Sequence, residues 1–348
     1  MCPIVLRLRS QRGLQPREVT DVVKRNRLRM RKQLAVVVNN GPGNRITATV
    51  EDRDGVLLLN GRPYRPRLVL DQGYWPETHL TPPSSEALRS DVELAKSLGF
   101  NGVRKHQKLE DPRFYAWADR LGLLVWVEAP SAYSFDEQAV RRSTATWLAA
   151  IEQAISHPSV MAWVPFNESW GVPDLPLSSR QRSFVRALTA LTRSLDESRP
   201  VVGNDGWELL DSDLVNVHDY ASEPAVLEQR YGSRQAIAET LAQHRPAGRR
   251  LLLEGESASN KPVLLTEFGG VRIEDGAPGW GYSAVPTAEA FAERYAALLA
   301  SVHRSELAGF CYTQLTDTFQ ERNGLVTMDR QPKAPLAELA RATRGERR

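Results

Sequence analysis

Two glutamates follow apolar runs in this chain and have the chemistry of a paired acid and base. Glu168 comes just after the run Met161–Phe166, and Glu267 closes a second run, Pro262–Thr266, 99 residues later. Hydrolysis of a glycosidic bond requires one carboxylic acid that protonates the leaving oxygen and a second carboxylate that attacks the sugar or activates water. The two runs therefore predict such a pair, provided that the fold brings both glutamates into one pocket.

Alternating strand-like and helix-like segments have to position this pair. The alternation begins near residue 56 and recurs about eight times, with continuously apolar strands such as Leu123–Val127. Such strands indicate a parallel sheet that is covered on both faces, and eight strand–helix units indicate a closed barrel. We therefore predict an α/β fold, a (β/α)8 TIM barrel over residues 51–345 that follows a short basic extension at 1–50. In such barrels the reactive groups lie at the C-terminal ends of the strands, where both glutamates fall.

Capping residues and periodicity predict where the helices begin and end. Ser84 and Ser85 open a helix that Gly99 stops, and Asp111 caps a helix that ends at Leu121. Further helices are predicted over 137–155, 178–195, about 223–243 and 288–301.

Several polar and aromatic residues at the strand ends are candidates for binding a sugar. Asn167 precedes Glu168 and is placed to donate a hydrogen bond to a hydroxyl beside the reacting carbon. Tyr220 is favoured over its neighbour His218 as a hydrogen-bond donor to the nucleophile. The remaining candidates lie at or just beyond strand ends and comprise Arg104, His106, Trp170, Asp71, Trp75, Glu128, Asp205, Trp207 and Gln314. We also expect burial and the neighbouring carboxylate to raise the pKa of Glu168, as a general acid requires.

The composition narrows the classes of protein to which the chain can belong. Of its 348 residues, 41% are hydrophobic and 25% are charged, as in ordinary globular proteins. The sequence contains neither a membrane-spanning apolar run nor a signal-peptide core, so we predict a cytoplasmic protein without membrane contact. Its two cysteines do not imply a disulfide framework. The six histidines lack metal-ligand spacing and no glycine-rich phosphate loop is evident, so neither a metal nor a cofactor is predicted.

The first 50 residues differ in charge from the rest of the chain. They carry 11 Lys and Arg against two Asp and Glu. The basic run Lys24–Lys32 has no interleaved aromatic residues, so we predict a solvated or poorly ordered segment and no nucleic-acid partner. Strand-like sequence at Leu34–Val38 and Ile46–Val50 leaves open a second interpretation, the remnant of a sandwich domain.

Several motifs resemble those of glycoside hydrolase family 2, the β-galactosidase and β-glucuronidase family. The segment His157–Gly171 resembles the acid/base signature of that family. The motifs occur in the family's order over about residues 51–335, and the others are Leu59–Tyr64, Phe100–His106, Thr266–Gly269, Phe310–Asp317 and Asn323–Leu325. The resemblance implies that Glu168 is the acid/base and Glu267 the nucleophile. Arg104 matches the family's arginine, whereas the family's usual spacing places one more residue before its histidine than precedes His106.

The resemblance implies a retaining hydrolase of β-linked sugars that works by double displacement and has a carbohydrate as its partner. Two other functions stay open, an endo-acting retaining barrel glycosidase of the cellulase or mannanase kind and a truncated, inactive sugar-binding barrel. Members of the family normally carry a jelly roll and an immunoglobulin-like sandwich before the barrel. About 50 residues cannot encode both, which suggests a truncated chain or a misplaced start. The sugar and the oligomeric state are left open.

Overall fold

A ring of parallel strands forms the centre of the protein. The computed structural model describes residues 36–39, 45–48, 50–53 and 55–346, with side chains from residue 55 onward. All of them belong to the second of two units, Leu34–Arg348, and the first, Met1–Gln33, lies outside the described residues. The prediction of a solvated segment at Lys24–Lys32 therefore falls outside them.

The strands of the central sheet follow one another around the ring in nearly sequential order. Seven are hydrogen-bonded side by side in parallel, namely β6 (Arg67–Asp71), β7 (Gly102–Lys105), β8 (Leu124–Glu128), β9 (Val160–Val164), β10 (Val215–His218), β11 (Val263–Glu267) and β14 (Gly309–Tyr312). Their order in the sheet is β10-β11-β14-β6-β7-β8-β9. Residues 200–206 take the eighth position, because Val201 bridges Trp163 of β9 and Gly206 accepts a backbone hydrogen bond from His218 of β10. The predicted α/β TIM-barrel architecture is therefore confirmed.

Short strands outside the ring form three small sheets. Strands β1 (Val36–Asn39) and β2 (Arg45–Ala48) pair antiparallel, and they overlap the two strand-like segments predicted there. Strands β3 (Val50–Arg53), β4 (Val56–Leu59) and β5 (Arg62–Pro63) form a meander, with β4 and β5 joined by a turn at Asn60 and Gly61. Strands β12 (Val271–Ile273) and β13 (Ser283–Val285) pair within an excursion after β11 that the sequence analysis missed.

Helices surround the ring, and most begin at a side-chain cap. Ser84 accepts a hydrogen bond from the backbone of Ala87, and Asp111 accepts one from the backbone of Arg113, as expected for N-caps. The described helices are α1 (Ser85–Ser97), α2 (Pro112–Leu121), α3 (Glu137–Ala154), α4 (Ser179–Leu195), α5 (Pro224–Tyr231), α6 (Arg234–Gln243), α7 (Ala288–Arg304) and α8 (Leu336–Arg344). The less regular helical stretch predicted over about 223–243 consists of two helices, because Gly232 ends α5 and Ser233 caps α6. None of these helices is both long and apolar enough to cross a membrane.

The apolar residues pack in two layers, one inside the ring and one between the strands and helices. The inner layer includes Leu68, Trp126, Met161, Leu264 and Cys311, all buried, and Leu57 of β4 packs against it. The outer layer joins the other faces of the strands to the helices. Full burial of a large apolar side chain contributes about 1.5–3 kcal/mol, so the inner layer alone makes the ring a rigid support for the residues at its rim.

Candidate active site

Arg104 on β7 is the buried centre of a charged network at the C-terminal end of the ring. Its Nε donates to Glu128 at 2.7 Å, one terminal nitrogen donates to Glu267 at 2.9 Å, and the other donates to Asn167 at 2.7 Å. Asp205 lies 3.4 Å from Nε as a further counter-ion. Because the guanidinium is planar and rigid, these contacts fix Asn167 and Glu267 relative to each other across the ring.

Glu267 at the end of β11 has both carboxylate oxygens engaged. Arg104 donates to Oε1, and the Tyr220 hydroxyl donates to Oε2 at 2.5 Å. Burial raises the pKa of Tyr220, and the negative charge of Glu267 raises it further. Tyr220 therefore stays a protonated donor throughout the working pH range. The structure thus forms the predicted contact between this tyrosine and Glu267.

The backbone at Glu168 has an unusual conformation that the surrounding loop holds in place. Glu168 and Ser169 have φ angles of 54° and 58°, in the left-handed region that non-glycine residues seldom adopt. The Glu168 amide donates to the carbonyl of Asp205 at 2.9 Å, and the Ser169 amide donates to the side chain of Asn204 at 3.0 Å. These bonds offset a strain of about 1–3 kcal/mol per residue and direct the Glu168 side chain toward His218.

His218 at the end of β10 lies between the two glutamates. Its Nδ1 is 2.7 Å from Glu168 Oε1, and its Nε2 is 3.1 Å from Asp205 and 3.4 Å from Glu267. Suitable oxygen and nitrogen atoms of Glu168, His218 and Glu267 all lie within 4.8 Å of one another. One oxygen of Glu168 and one of Glu267 therefore approach within 4.8 Å, near the shorter of the two carboxyl separations found in glycosidases, about 5–5.5 Å and about 6.5–9.5 Å.

The charges around His218 determine its protonation state and that of Glu168. Burial alone would lower the pKa of His218, but Glu267, Asp205 and Glu168 outweigh it and raise the pKa to about 10. Burial would likewise raise the pKa of Glu168, but the hydrogen bond and positive charge of His218 lower it below its usual value. The expectation of a raised pKa at Glu168 is therefore wrong, because a cation rather than a carboxylate is its nearest charged neighbour.

Asn167 and His106, two of the predicted binding residues, also lie in this network. Asn167 accepts from Arg104 through its oxygen, and among the described residues its buried Nδ2 has no partner. His106 Nδ1 lies 3.0 Å from Glu128 and 3.8 Å from Glu267. Burial would lower the pKa of His106, but the Glu128 charge more than offsets this and raises it. The amide nitrogen of Asn167 is thus left as a donor for a ligand.

Two predicted tryptophans flank the catalytic pair. Trp170 is half exposed, two residues beyond Glu168. Trp207 packs edge-on against His218, with ring centroids 5.8 Å apart, and its Nε1 has no partner among the described residues. Trp170 therefore offers an accessible aromatic face, whereas Trp207 supports the imidazole.

The structure does not bring Asp71 or Gln314 into hydrogen-bond contact with either glutamate. Asp71 accepts from Lys105 at 2.6 Å and from the backbone of Gly73 at 2.7 Å. Gln314 is bonded to Gln72 at 2.8 Å and to Asn323 at 2.7 Å. Asp71 therefore belongs to a separate ion-pair cluster, and Gln314 belongs to a polar cluster on the loop after β14.

Other residues of the site were missed or placed second in the sequence analysis. His218 was set aside in favour of Tyr220, yet it is the residue that contacts Glu168. Tyr282 stacks on Tyr220 with ring centroids 3.3 Å apart and planes 5° apart. Glu128 and Asp205 were candidates because they lie at strand ends, and the structure places both beside Arg104. Tyr282 lies in the excursion after β11, which carries no such signal.

The three groups Glu168, His218 and Glu267 also satisfy the spacing of a cation site. The donor set fits a metal poorly, because a ligating imidazole must be deprotonated on the coordinating nitrogen. His218 has its pKa raised to about 10 and directs both ring nitrogens at carboxylates. His218 is therefore better described as a protonated imidazolium between carboxylates than as a metal ligand.

Comparisons with known proteins place this site in a family. The family model described as "Glycosyl hydrolases family 2, TIM barrel domain" matches residues 53–345. A β-galactosidase of Vibrio cholerae is 33% identical over 162 residues, which are 44% of this chain and 15% of that protein. A β-glucuronidase of Bacteroides fragilis is 30% identical over 119 residues, 32% of this chain and 16% of that protein.

The fold is also found among solved structures. The crystal structure of a family 2 β-galacturonidase from Eisenbergiella tayi, bound to galacturonate, superposes with a TM-score of 0.69 at 19% identity. The superposition covers 86% of this chain and 55% of that one. The chain thus matches less than a fifth of the length of these curated relatives and about half of that structure. Because the family model covers most of its length, the chain belongs to glycosyl hydrolase family 2 and contains the TIM barrel domain of that family.

Proposed function

We propose that the chain is a glycosidase that hydrolyses O-linked β-glycosides with retention of configuration. Glu267 is the nucleophile and Glu168 the acid/base in this proposal. The observation that carries it is the close approach of the two carboxylates, whose oxygen atoms lie within 4.8 Å of each other at the rim of the ring. The names of the relatives, β-galactosidases and β-glucuronidases, supply the β configuration of the substrate.

The reaction proceeds in two displacements. In the first, a Glu267 oxygen attacks the anomeric carbon while Glu168 protonates the departing oxygen, which leaves a glycosyl ester on Glu267. In the second, Glu168 as carboxylate removes a proton from water, and the water attacks the anomeric carbon and releases Glu267. Arg104 and Tyr220 hold the nucleophile from two sides, which limits its motion before the attack.

The surrounding donors support the same roles. The unpartnered Nδ2 of Asn167 is available to a sugar hydroxyl, and Trp170 offers a half-exposed aromatic face. Aromatic faces stack on the apolar side of sugar rings by burying area. We retain Asn167, His106 and Trp170 as substrate contacts.

Replacement of each glutamate separates their roles. Glu267→Gln is expected to lower kcat on an aryl β-glycoside by 10³-fold or more, since no ester can form. Glu168→Ala is expected to keep the first step on a substrate with an activated phenol leaving group, because such a group needs no acid. Azide should then accelerate turnover of this variant and yield a β-glycosyl azide. Glu293→Gln on the exposed face of α7 is the matched control.

The outcome that contradicts the assignment is an α-configured first product, or unchanged activity in Glu267→Gln. Proton NMR of the first sugar released gives the configuration directly. A panel of polysaccharides tests the endo-acting alternative, and the absence of turnover on every substrate would favour the inactive barrel.

We also propose a division of the chain into two parts. The catalytic domain spans residues 51–345 and follows a basic extension at 1–50. The cytoplasmic location and the lack of nucleic-acid contact also stay predictions.

A further inference from the structure

A cluster of polar side chains lies one strand away from Glu267, on the same rim of the ring. Gln72 follows β6, Gln314 follows β14, and Glu321 and Asn323 lie on the loop after β14. Gln72 donates to Gln314 at 2.8 Å and to Glu321 at 2.9 Å. Asn323 donates to Glu321 at 3.2 Å. Glu321 is therefore a fixed carboxylate that neutral amides hold.

This cluster is continuous with the catalytic pair. A Cβ atom placed on Gly270, three residues after Glu267, would lie 2.4 Å from the Tyr282 ring and 3.3 Å from Asn323 Nδ2. Tyr282 stacks on Tyr220, which binds Glu267. Burial raises the pKa of Glu321, and the charge of Glu267 adds to the rise. Glu321 therefore lies close enough to Glu267 for the two charges to interact.

The cations at this rim are all engaged by protein oxygens among the described residues. Arg104 has its three nitrogens directed at Glu128, Glu267 and Asn167, and His218 lies between Glu168 and Asp205. The other pairs are Lys105 with Asp71 and Glu110, Lys108 with Glu110, Lys333 with Asp317, Arg322 with Asp275, Arg330 with Asp91, Arg249 with Glu208, Arg230 with Asp219 and Arg272 with Glu274.

His106 is more exposed than Arg104 or His218, since 18% of its side chain is accessible to solvent. Glu128 at 3.0 Å and Glu267 at 3.8 Å face it from one side, so its charge is already offset. The described site therefore holds Arg104, His106 and His218 against five carboxylates, namely Glu128, Glu168, Asp205, Glu267 and Glu321.

We propose, building on the glycosidase function above, that this pocket accepts neutral pyranosides and rejects uronic acids, with Glu321 accepting a hydrogen bond from a sugar hydroxyl. The carboxylate of a uronic acid would enter a buried, acid-rich site in which the described residues leave no cation unpaired, which is strongly unfavourable. A hydroxyl is the better partner, because a carboxylate has about four acceptor positions and Gln72 and Asn323 use two of those on Glu321. By their names, the β-galactosidases among the relatives act on neutral sugars, whereas the β-glucuronidases and the β-galacturonidase act on uronic acids.

Two matched pairs of substrates test the charge selection on the unaltered protein. Para-nitrophenyl β-galactoside and β-galacturonide differ only in the group at carbon 6, as do the β-glucoside and the β-glucuronide. We expect kcat/KM for the neutral member of the better pair to exceed that for the uronide by about 100-fold or more. A uronide turned over as fast as its neutral partner, or faster, overturns the inference and leaves the glycosidase function intact.

Charge variants assign the selection to Glu321. Glu321→Gln keeps the shape and removes the charge, so the ratio of neutral to uronide kcat/KM is expected to fall at least tenfold, and Glu321→Lys should lower it further. Glu293→Gln and Glu293→Lys make the same changes on the exposed face of α7 and should leave the ratio unchanged. A ratio that is the same in Glu321→Gln as in the wild type removes Glu321 from the proposal. If the variants do not fold, the wild-type pairs decide the matter.

Covalent probes separate failure of this inference from failure of the proposed function. Cyclophellitol aziridine is a neutral reagent that esterifies the nucleophile of retaining glycosidases, and its 6-carboxylate presents the charge of a uronic acid. Mass spectrometry should find the neutral probe on Glu267 and little of the carboxylate probe. Labelling by the carboxylate probe alone refutes the charge selection. If neither probe labels Glu267 and no substrate is turned over, the proposed function fails and the inference fails with it.

Discussion

Replacement of His218 by glutamine tests how the acidity of Glu168 is set. The imidazolium donates to Glu168 at 2.7 Å and holds its pKa below the usual value, against the opposing effect of burial. Glutamine retains a donor but carries no charge. The remaining effect of burial should then raise the pKa of Glu168, and the basic limb of the kcat/KM profile should move to higher pH.

The upper limit of the effect follows from the charge-assisted hydrogen bond, which glutamine replaces with a neutral one. A hydrogen bond to a charged group contributes about 1.5–3 kcal/mol, which corresponds to about a 10- to 150-fold change in the ratio of protonated to ionised Glu168. On the basic limb, kcat/KM is proportional to the protonated fraction, so His218→Gln should exceed the wild type there by up to that factor. The kcat/KM profile is the correct assay, because it reports the groups of the free enzyme.

Two results would refute this reasoning. If the basic limb stays in place, His218 does not control Glu168 in solution. If the limb moves to lower pH, the proton lost at high pH belongs to His218, and the pair must be treated as one titrating unit. His244→Gln, at an exposed position after α6, should leave the profile unchanged and serves as the control.

Four further outcomes are expected. Tyr220→Phe removes the 2.5 Å hydrogen bond to Glu267 and should lower kcat/KM by about 10- to 100-fold without loss of folding, as measured by steady-state kinetics and circular dichroism. Arg104→Lys cannot satisfy the carboxylates that Arg104 binds and should lower the free energy of unfolding by about 3–5 kcal/mol in urea titrations; an unchanged midpoint would contradict this. The pKa of His218 is raised to about 10 from an ordinary 6.5, so the protonated imidazole stabilises the fold fully below pH 6.5. The free energy of unfolding should fall by up to roughly 5 kcal/mol as the pH rises from 6.5 to 10, and by less in His218→Gln. EDTA should leave activity unchanged, because a protonated His218 cannot ligate a metal; loss of activity that one divalent ion restores would contradict this.

The regular part of the fold could be predicted because local signals agree there. Ser84 and Asp111 cap helices where the sequence indicates, and the apolar runs at 123–127 and 263–266 are strands of the ring. At the eighth position of the ring, the local sequence signals do not indicate a regular strand. Residues 203–206 are Gly-Asn-Asp-Gly, and bonds such as Asn216 to Asp205 replace part of a backbone ladder. The excursion at 271–285 is irregular and is ordered by tertiary contacts, which no local pattern reveals.

The two glutamates and Arg104 could be chosen as candidates because the sequence itself shows that each lies at the end of an apolar strand. The protonation of the pair could not be predicted, because it depends on which side chain lies between them. Asp205 and Glu168 hold the ring of His218, and Gly206 makes room for it, since a Cβ there would lie 2.5 Å from the imidazole. A sequence shows a histidine at this strand end but does not show that it faces inward and is charged.

The position of His218 has a consequence for both chemical steps. Two carboxylates this close would ordinarily force one of them to keep a proton, whereas the cation that contacts Glu168 lowers its pKa and favours its ionised form. An ionised Glu168 is already the base that the second step requires. In the first step it must be an acid, so the resting contact with His218 has to weaken when the leaving oxygen of the sugar takes its place. Binding of the glycoside would then raise the pKa of Glu168 at the point where a proton donor is needed. The reason is that the leaving oxygen, which needs the proton, is also the atom that separates Glu168 from the imidazolium.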